Sequence, residues 1–226
     1  MSKSLNKILV VGGGKGGVGK STVTMALVDA LLSGSHSCVL VESDDSNPDT
    51  YKALKDLLPC HICNLDTEEG YIHLGNIIEN HPKNSIVVNT AARATSALIQ
   101  YGGILNDVAQ EQNRELIMLW PINRQRDSLE LLKDFLETAK PYHATYAVLN
   151  TYFGAPEKFA RFANSTLKNR VSGTVIFPEL NDLVADKLVD NRLSLGSADT
   201  KLSISERSAL RRYREAAQTA LKAAYE

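Results

Sequence analysis

Nine residues near the start of the chain, Gly14-Lys15-Gly16-Gly17-Val18-Gly19-Lys20-Ser21-Thr22, follow the spacing G-x-x-x-x-G-K-S/T. An apolar, β-branched run at residues 8–11 precedes them, and a helical pattern at residues 22–32 follows. Strand, glycine-rich turn and helix in that order constrain the fold more than any other feature of the chain. Glycines let the backbone take conformations closed to other residues, so successive N–H groups turn inward onto an anion. A helix starting near Lys20 adds its positive end. The motif therefore predicts that Gly14, Lys15, Gly16, Gly17, Val18, Gly19, Lys20, Ser21 and Thr22 cradle the phosphates of ATP. Lys20 reaches the β- and γ-phosphates, and the Ser21 hydroxyl ligates Mg²⁺.

The alternation continues along the chain. Short apolar runs at residues 38–41, 86–88, 116–119, 146–149 and 175–177 suit strands buried on both faces. Helical patterns fall at 96–110, where Gly102 and Gly103 sit as potential interruptions, and at 129–139, 159–167 and 205–225. Asp127 and Glu130, three apart, have the spacing of a capping box before the second of these. Such βα alternation predicts a doubly wound, mainly parallel sheet with helices on both faces, one domain over residues 1–226. In such sheets ligands sit beyond the carboxyl ends of the strands.

Composition narrows the classes. With 226 residues the chain has the size of one α/β domain, and 43% hydrophobic with 23% charged residues excludes a disordered chain. A net charge of −1 gives no overall pull toward nucleic acid or acidic lipid, so such binding needs a local patch. No apolar run approaches a membrane span. The run at 8–11 is too short for a signal peptide. Three cysteines make no even disulfide framework, and a cytoplasmic location is expected. Cys60 and Cys63 form a C-x-x-C pair, with His61, His73 and His81 nearby, but two ligands do not make a zinc site. They are read as ordinary thiols.

Lys15 adds a second lysine that an ordinary phosphate loop lacks. On the string from Gly14 to Thr22 the chain resembles the ParA/MinD family of deviant Walker A ATPases. The resemblance implies an ATP-bound homodimer in which Lys15 reaches across to the partner's nucleotide and stabilises phosphate charge in the transition state. It makes Lys15, Lys20 and Asp44 the catalytic candidates. Glu42-Ser43-Asp44 resembles the family's acid-x-acid segment, and Asp44 would orient the attacking water or act near Mg²⁺. Residues 44–49 also read as a polar turn before a helix near Pro48.

Where the family has its Walker B aspartate this chain has Asn89, followed by Ala91 and Ala92 where prolines are usual. Asparagine can hold a metal-bound water but lacks the charge that strengthens the Mg²⁺ shell. Slow turnover or weak Mg²⁺ dependence is expected. Asn150, and Pro178 with Glu179, resemble the family's adenine contacts.

The final helix carries Arg207, Arg211, Arg212, Arg214 and Lys222. It offers either a surface for non-specific DNA or a solvated face. Ile204, Leu210, Tyr213, Ala217, Leu221 and Ala224 recur at helical spacing and are expected to pack on the sheet. The helix has too few large apolar residues for stable membrane insertion. Trp120, Arg124 and Arg126 follow the fourth apolar run in a loop open to a dimer or partner surface, with Trp120 itself read as core packing. The resemblance implies an ATPase that positions or delivers a protein cargo or adaptor, in plasmid partition, maintenance or transfer. Two alternatives stand beside it: a nucleotide-gated interaction module with little hydrolysis, and a metabolic enzyme of the dethiobiotin synthetase type.

Overall fold

The structure is a computed structural model that describes residues 5–13, 15–140 and 142–226. Seven parallel strands make one sheet in the order β3-β2-β4-β1-β5-β6-β7. They are β1 (Lys7–Val11), β2 (Cys38–Glu42), β3 (Cys60–Ile62), β4 (Ser85–Asn89), β5 (Glu115–Ile122), β6 (Ala144–Asn150) and β7 (Gly173–Phe177). The order turns back at β1, which pairs β4 on one side and β5 on the other. A crevice opens there, beyond the carboxyl ends of the strands.

Alternate side chains of each strand feed two cores. Ile8, Val10, Val39, Val41, Ile86, Val88, Met118 and Trp120 face one layer. That layer holds α3 (Glu68–Asn80), α4 (Thr95–Glu111) and α5 (Arg126–Thr138). Leu9, Val11, Leu40, Val87, Ile117 and Leu119 face the other. There α1 (Lys20–Ser33) lies under α8 (Ile204–Tyr225), flanked by α2 (Asp49–Leu54) and α7 (Asp182–Asp190). Strands buried on both sides explain why each reads as a continuous apolar run rather than as alternation.

The doubly wound parallel sheet is the expected one. Four local expectations change. Gly102 and Gly103 do not interrupt α4, whose other buried positions, such as Leu98 and Leu105, carry it through. Asp127 closes no capping box: Gln125 is the N-cap of α5, without a side-chain cap bond, and the Asp127 carboxylate instead binds Lys15. The pattern at 159–167 breaks into a 3₁₀ turn, α6 (Ala160–Ala163) and a second 3₁₀ turn. Ile204 is 78% exposed and does not pack on the sheet, whereas Leu210, Tyr213, Ala217, Leu221 and Ala224 do. Trp120 lies inside β5, buried against Phe135 with ring centroids 4.7 Å apart, in agreement with its reading as core packing.

Three elements lacked a sequence expectation: β3, α3 and α7. Thr67 caps α3 by accepting from the Gly70 amide at 3.3 Å. Asn181 caps α7 by accepting from Leu183 at 3.1 Å. Ser203 and Glu206 close a full capping box at the start of α8.

Candidate functional site

One cavity of about 550 Å³ lies over the carboxyl ends of the strands. That volume falls in the range of small-molecule sites. Its floor is the glycine turn and the first residues of α1: Gly16, Gly17, Gly19, Lys20, Ser21 and Thr22. Gly14 lies outside the described residues. Gly17 and Gly19 take φ of 74° and 96°, in the left-handed region. Gly19 is also the N-cap of α1, and a Cβ there would collide with the Asn150 amide. Conformation and space both demand glycine at that position.

Lys20 is 8% exposed, and its ammonium donates to the Lys15 carbonyl at 3.0 Å. Burial lowers its pKa from 10.5 to about 8, and the negative charge of Asp44 offsets part of that fall. A desolvated cation beside the open end of a helix is suited to an anion. The phosphates of a nucleotide fit it.

Glu42 and Asn89 are register partners at the ends of β2 and β4. The Asn89 amide donates to both Glu42 carboxylate oxygens, at 3.0 and 2.9 Å. It also lies 3.3 Å from the Ser21 hydroxyl and 3.4 Å from that of Thr50. Its oxygen accepts from the Thr24 hydroxyl at 3.0 Å, which fixes which end of the amide faces Glu42. Burial pushes the Glu42 carboxyl above its usual range, against the Asn89 and Asp44 hydrogen bonds that lower it. Among the described residues no cluster of three or more His, Cys, Asp or Glu could hold a metal unaided. Mg²⁺ bound through nucleotide phosphates needs no such cage: it takes one or two protein ligands and keeps several waters. Ser21 would supply a ligand, with Asn89 behind it. The site fits the cation in that form.

Asp44 lines the cavity. It also closes the turn before α2, accepting from Ser46 Oγ at 2.6 Å and from the Asn47 amide at 3.1 Å. The Ser46 hydroxyl is the main reason its carboxyl sits below the usual range, against the opposing effect of burial. The polar-turn reading of Asp44 holds, and the same residue stands on the cavity wall. Arg93, at the start of the segment after β4, pairs with Asp66 at 2.6 Å and lies close enough to Asp44 to lower its pKa.

The adenine candidates divide. Asn150 lines the cavity, but its amide is committed: it donates to the Val18 carbonyl at 3.0 Å and accepts from the Tyr152 amide at 3.1 Å. Val18 is buried and contributes through that carbonyl rather than by lining the space. Pro178 lines the cavity with Tyr152 and Leu180. The Glu179 side chain is exposed and stands outside the lining, which is compatible with the backbone contact expected of it, and Leu180 beside it lines the cavity.

Lys15 is turned away from the cavity. Its ammonium binds Gln125 and Asp127 at the start of α5. That contact is the first cause of the depressed Asp127 pKa.

Thr24 and Thr50 were not nominated from the sequence, and Glu42 entered only as the first acid of the Glu42-Ser43-Asp44 segment. Glu42 had a signal: it is a charged residue closing an apolar strand. Thr24 lies one helical turn beyond Ser21, on the same face. The remaining chemistry-bearing residues are elsewhere. Burial pushes the Cys60 and Cys63 thiols up to about 12 and about 11, and Cys63 donates to the Gly70 carbonyl at 3.0 Å. They are inert thiols. On α8, Arg214 is spent on Asp29 and Arg207 on the Asp199 and Leu202 carbonyls. Lys222 pairs with Glu226, while Arg211 and Arg212 are exposed. No helix among the described residues is long and apolar enough to cross a membrane.

Residues 9–154 match the profile of the CobQ/CobB/MinD/ParA nucleotide binding domain. Protein MobD of Acidithiobacillus ferrooxidans is 42% identical over 226 residues, covering 98% of each chain. The MinD cell division protein of Aquifex aeolicus superposes with a TM-score of 0.55 at 16% identity, covering 96% of this chain and 97% of that one. A putative plasmid partition protein of Borrelia burgdorferi B31, bound to AMPPNP, gives 0.54 at 15% identity, covering 96% and 99%. These two structural likenesses concern the fold.

Proposed function

The chain belongs to the CobQ/CobB/MinD/ParA family of nucleotide-binding domains, and from that premise we propose that it binds ATP with Mg²⁺ and dimerises around it. Hydrolysis is slow, and the dimer positions or delivers a protein cargo in a plasmid-related process. The observation that carries this reading is the buried Lys20 ammonium under the glycine turn, beside Ser21 and at the mouth of the 550 Å³ cavity.

The roles follow from the atoms. The Gly16–Gly19 turn and Lys20 hold phosphate oxygens. Mg²⁺, when bound, neutralises phosphate charge. Ser21 ligates it, and Asn89 holds the Ser21 hydroxyl from behind. Asp44, on the cavity wall, is the group that orients a water toward the phosphate. Tyr152, Pro178 and Leu180 pack around the base. Lys15 leaves Asp127 to meet the nucleotide of a second copy, where its charge acts in the transition state.

The neutral Asn89 supports slow turnover, so a switch whose dimer outlives many encounters suits it better than a metabolic enzyme. The MobD likeness supports a plasmid-related role. Arg211 and Arg212 form the part of the basic helix open to DNA phosphates.

Size measurement by light scattering with ATP, a slowly hydrolysed analogue, ADP and no nucleotide tests the proposal. A dimer only with ATP or its analogue is expected, lost in Lys20→Ala and Lys15→Ala. A wild-type monomer under all four conditions overturns it.

A further inference from the structure

The segment between β4 and α4 is pinned at its start and exposed at its tip. Thr90 binds the Val11 carbonyl twice, through its amide at 3.2 Å and its hydroxyl at 2.9 Å. The Ala91 amide donates to Ser43 Oγ at 2.8 Å. Ala92 and Arg93 follow, both exposed. Ala92 lines the cavity, and its Cβ lies 3.8 Å from where a Cβ on Gly16 would stand. The tip of the segment therefore leans on the phosphate turn.

Arg93 stands one residue beyond that contact. Its Nε donates to Asp66 Oδ2 at 2.6 Å, just ahead of α3. Asp44, on the cavity wall, and Asp45 are within its electrostatic reach. One guanidinium thus answers three carboxylates beside the turn. The Asp66 pair holds it weakly: the side chains are 67% and 30% exposed, and an exposed pair contributes about 0–1 kcal/mol. A guanidinium on a phosphate makes parallel charge-assisted bonds, which are stronger. Within one protomer neither lysine of the turn separates ATP from ADP. Lys20 serves the β-phosphate as well as the γ-phosphate. Lys15 is bound to Asp127.

We propose that Arg93 is the specificity residue for the terminal phosphate: held on Asp66 when ADP is bound, its guanidinium turns to the γ-phosphate of ATP in the same protomer. The inference rests on the ATP reading above. Ala92 keeps the segment against Gly16, so the arginine needs only a side-chain rotation to exchange one anion for the other. The exchange frees Asp66 at the start of α3, and the two segments register which nucleotide is present.

The test is displacement of a fluorescent ADP by unlabelled ADP or by a slowly hydrolysed ATP analogue, with Mg²⁺, at concentrations where light scattering shows a monomer. Arg93→Ala should weaken the analogue by about 10- to 100-fold, the scale of hydrogen bonds to a charged group, and leave ADP unchanged. Arg93→Lys keeps the charge without the fork and should recover only part of the loss. Asp66→Asn releases the arginine and should tighten the analogue by about two- to fivefold, the strength of an exposed pair. That gain should vanish when Arg93→Ala is added. Arg93→Ala that weakens both nucleotides alike, or neither, overturns the inference. So does Asp66→Asn that binds the analogue no tighter than wild type, or a gain that persists without Arg93. If wild type binds neither nucleotide, the ATP reading falls and takes this one with it.

Discussion

Lys15 and Asp127 meet within a single protomer: the ammonium from the glycine turn binds the carboxylate in the first turn of α5. A lysine expected to serve a second copy is held at home. Asp127→Asn should loosen that hold and let the ATP-analogue dimer form at about two- to fivefold lower protein concentration, the scale of an exposed ion pair. Concentration-dependent light scattering measures it. An unchanged midpoint would show that the contact does not compete with dimerisation.

Replacing Asn89 with aspartate, which on sequence grounds repairs the Mg²⁺ shell, should instead harm the protein when done alone. Two carboxylates would face each other at the distance now spanned by the 2.9 Å amide contact. One must hold a proton, so its folded pKa rises above the unfolded value. A raised acid binds more protons folded than unfolded, and stability then falls as pH rises. Asn89→Asp should be less stable than wild type by about 1–3 kcal/mol near neutral pH, with the gap closing in acid. Thermal melts across pH report this, and an equal or higher melting point at neutral pH would contradict it.

Lys20 predicts a pH limit on ligand binding. Its pKa of about 8 in the unliganded fold lies below the ordinary 10.5. Below about 8 the ammonium is charged and ready for phosphate. Above it the group must first take up a proton, so affinity for ATP in EDTA should fall by up to about tenfold per pH unit. The unliganded protein shows the opposite slope. Between about 8 and 10.5 the unfolded chain holds more protons, so the Lys20 contribution to stability improves as pH rises. Calorimetry in buffers of different ionisation enthalpy should show proton uptake on binding above pH about 8, and none in Lys20→Ala.

Arg214 and Asp29 anchor α8 on α1 through two hydrogen bonds of 2.9 and 2.8 Å. Asp29 is 7% exposed, so removing its cation leaves a charge poorly compensated. Arg214→Ala should cost about 2–4 kcal/mol, measured by urea unfolding. Arg211→Ala and Arg212→Ala, both exposed, should stay within about 0.5 kcal/mol of wild type. If the chain binds DNA, those two substitutions should weaken it and flatten its salt dependence without altering stability.

Much of this protein was written locally. Residues 8–32 carry their own strand, turn and helix signals, because each depends on neighbours a few positions away. The six apolar runs became six of the seven strands. The seventh, Cys60–Ile62, is three residues long at a sheet edge, too short to show a period. The helix α3 has its apolar positions diluted by His73, Asn76 and Glu79, and its capping threonine is visible only once its end is known. The glycines of α4 were legible, but their tolerance depends on the buried face around them.

Sequence by itself determined the phosphate turn, the order of βα units and the identity of the residues at each strand end. The tertiary structure decided which of those ends meet. Glu42 and Asn89 are 47 residues apart and touch only because β2 and β4 lie side by side in register. Asp29 and Arg214, 185 apart, meet only because α8 returns to cover α1. Lys15 chooses Asp127 because β1 and β5 are neighbours. Local propensity reads along the chain, whereas charge and hydrogen bonding act through space, and the sheet order converts one into the other.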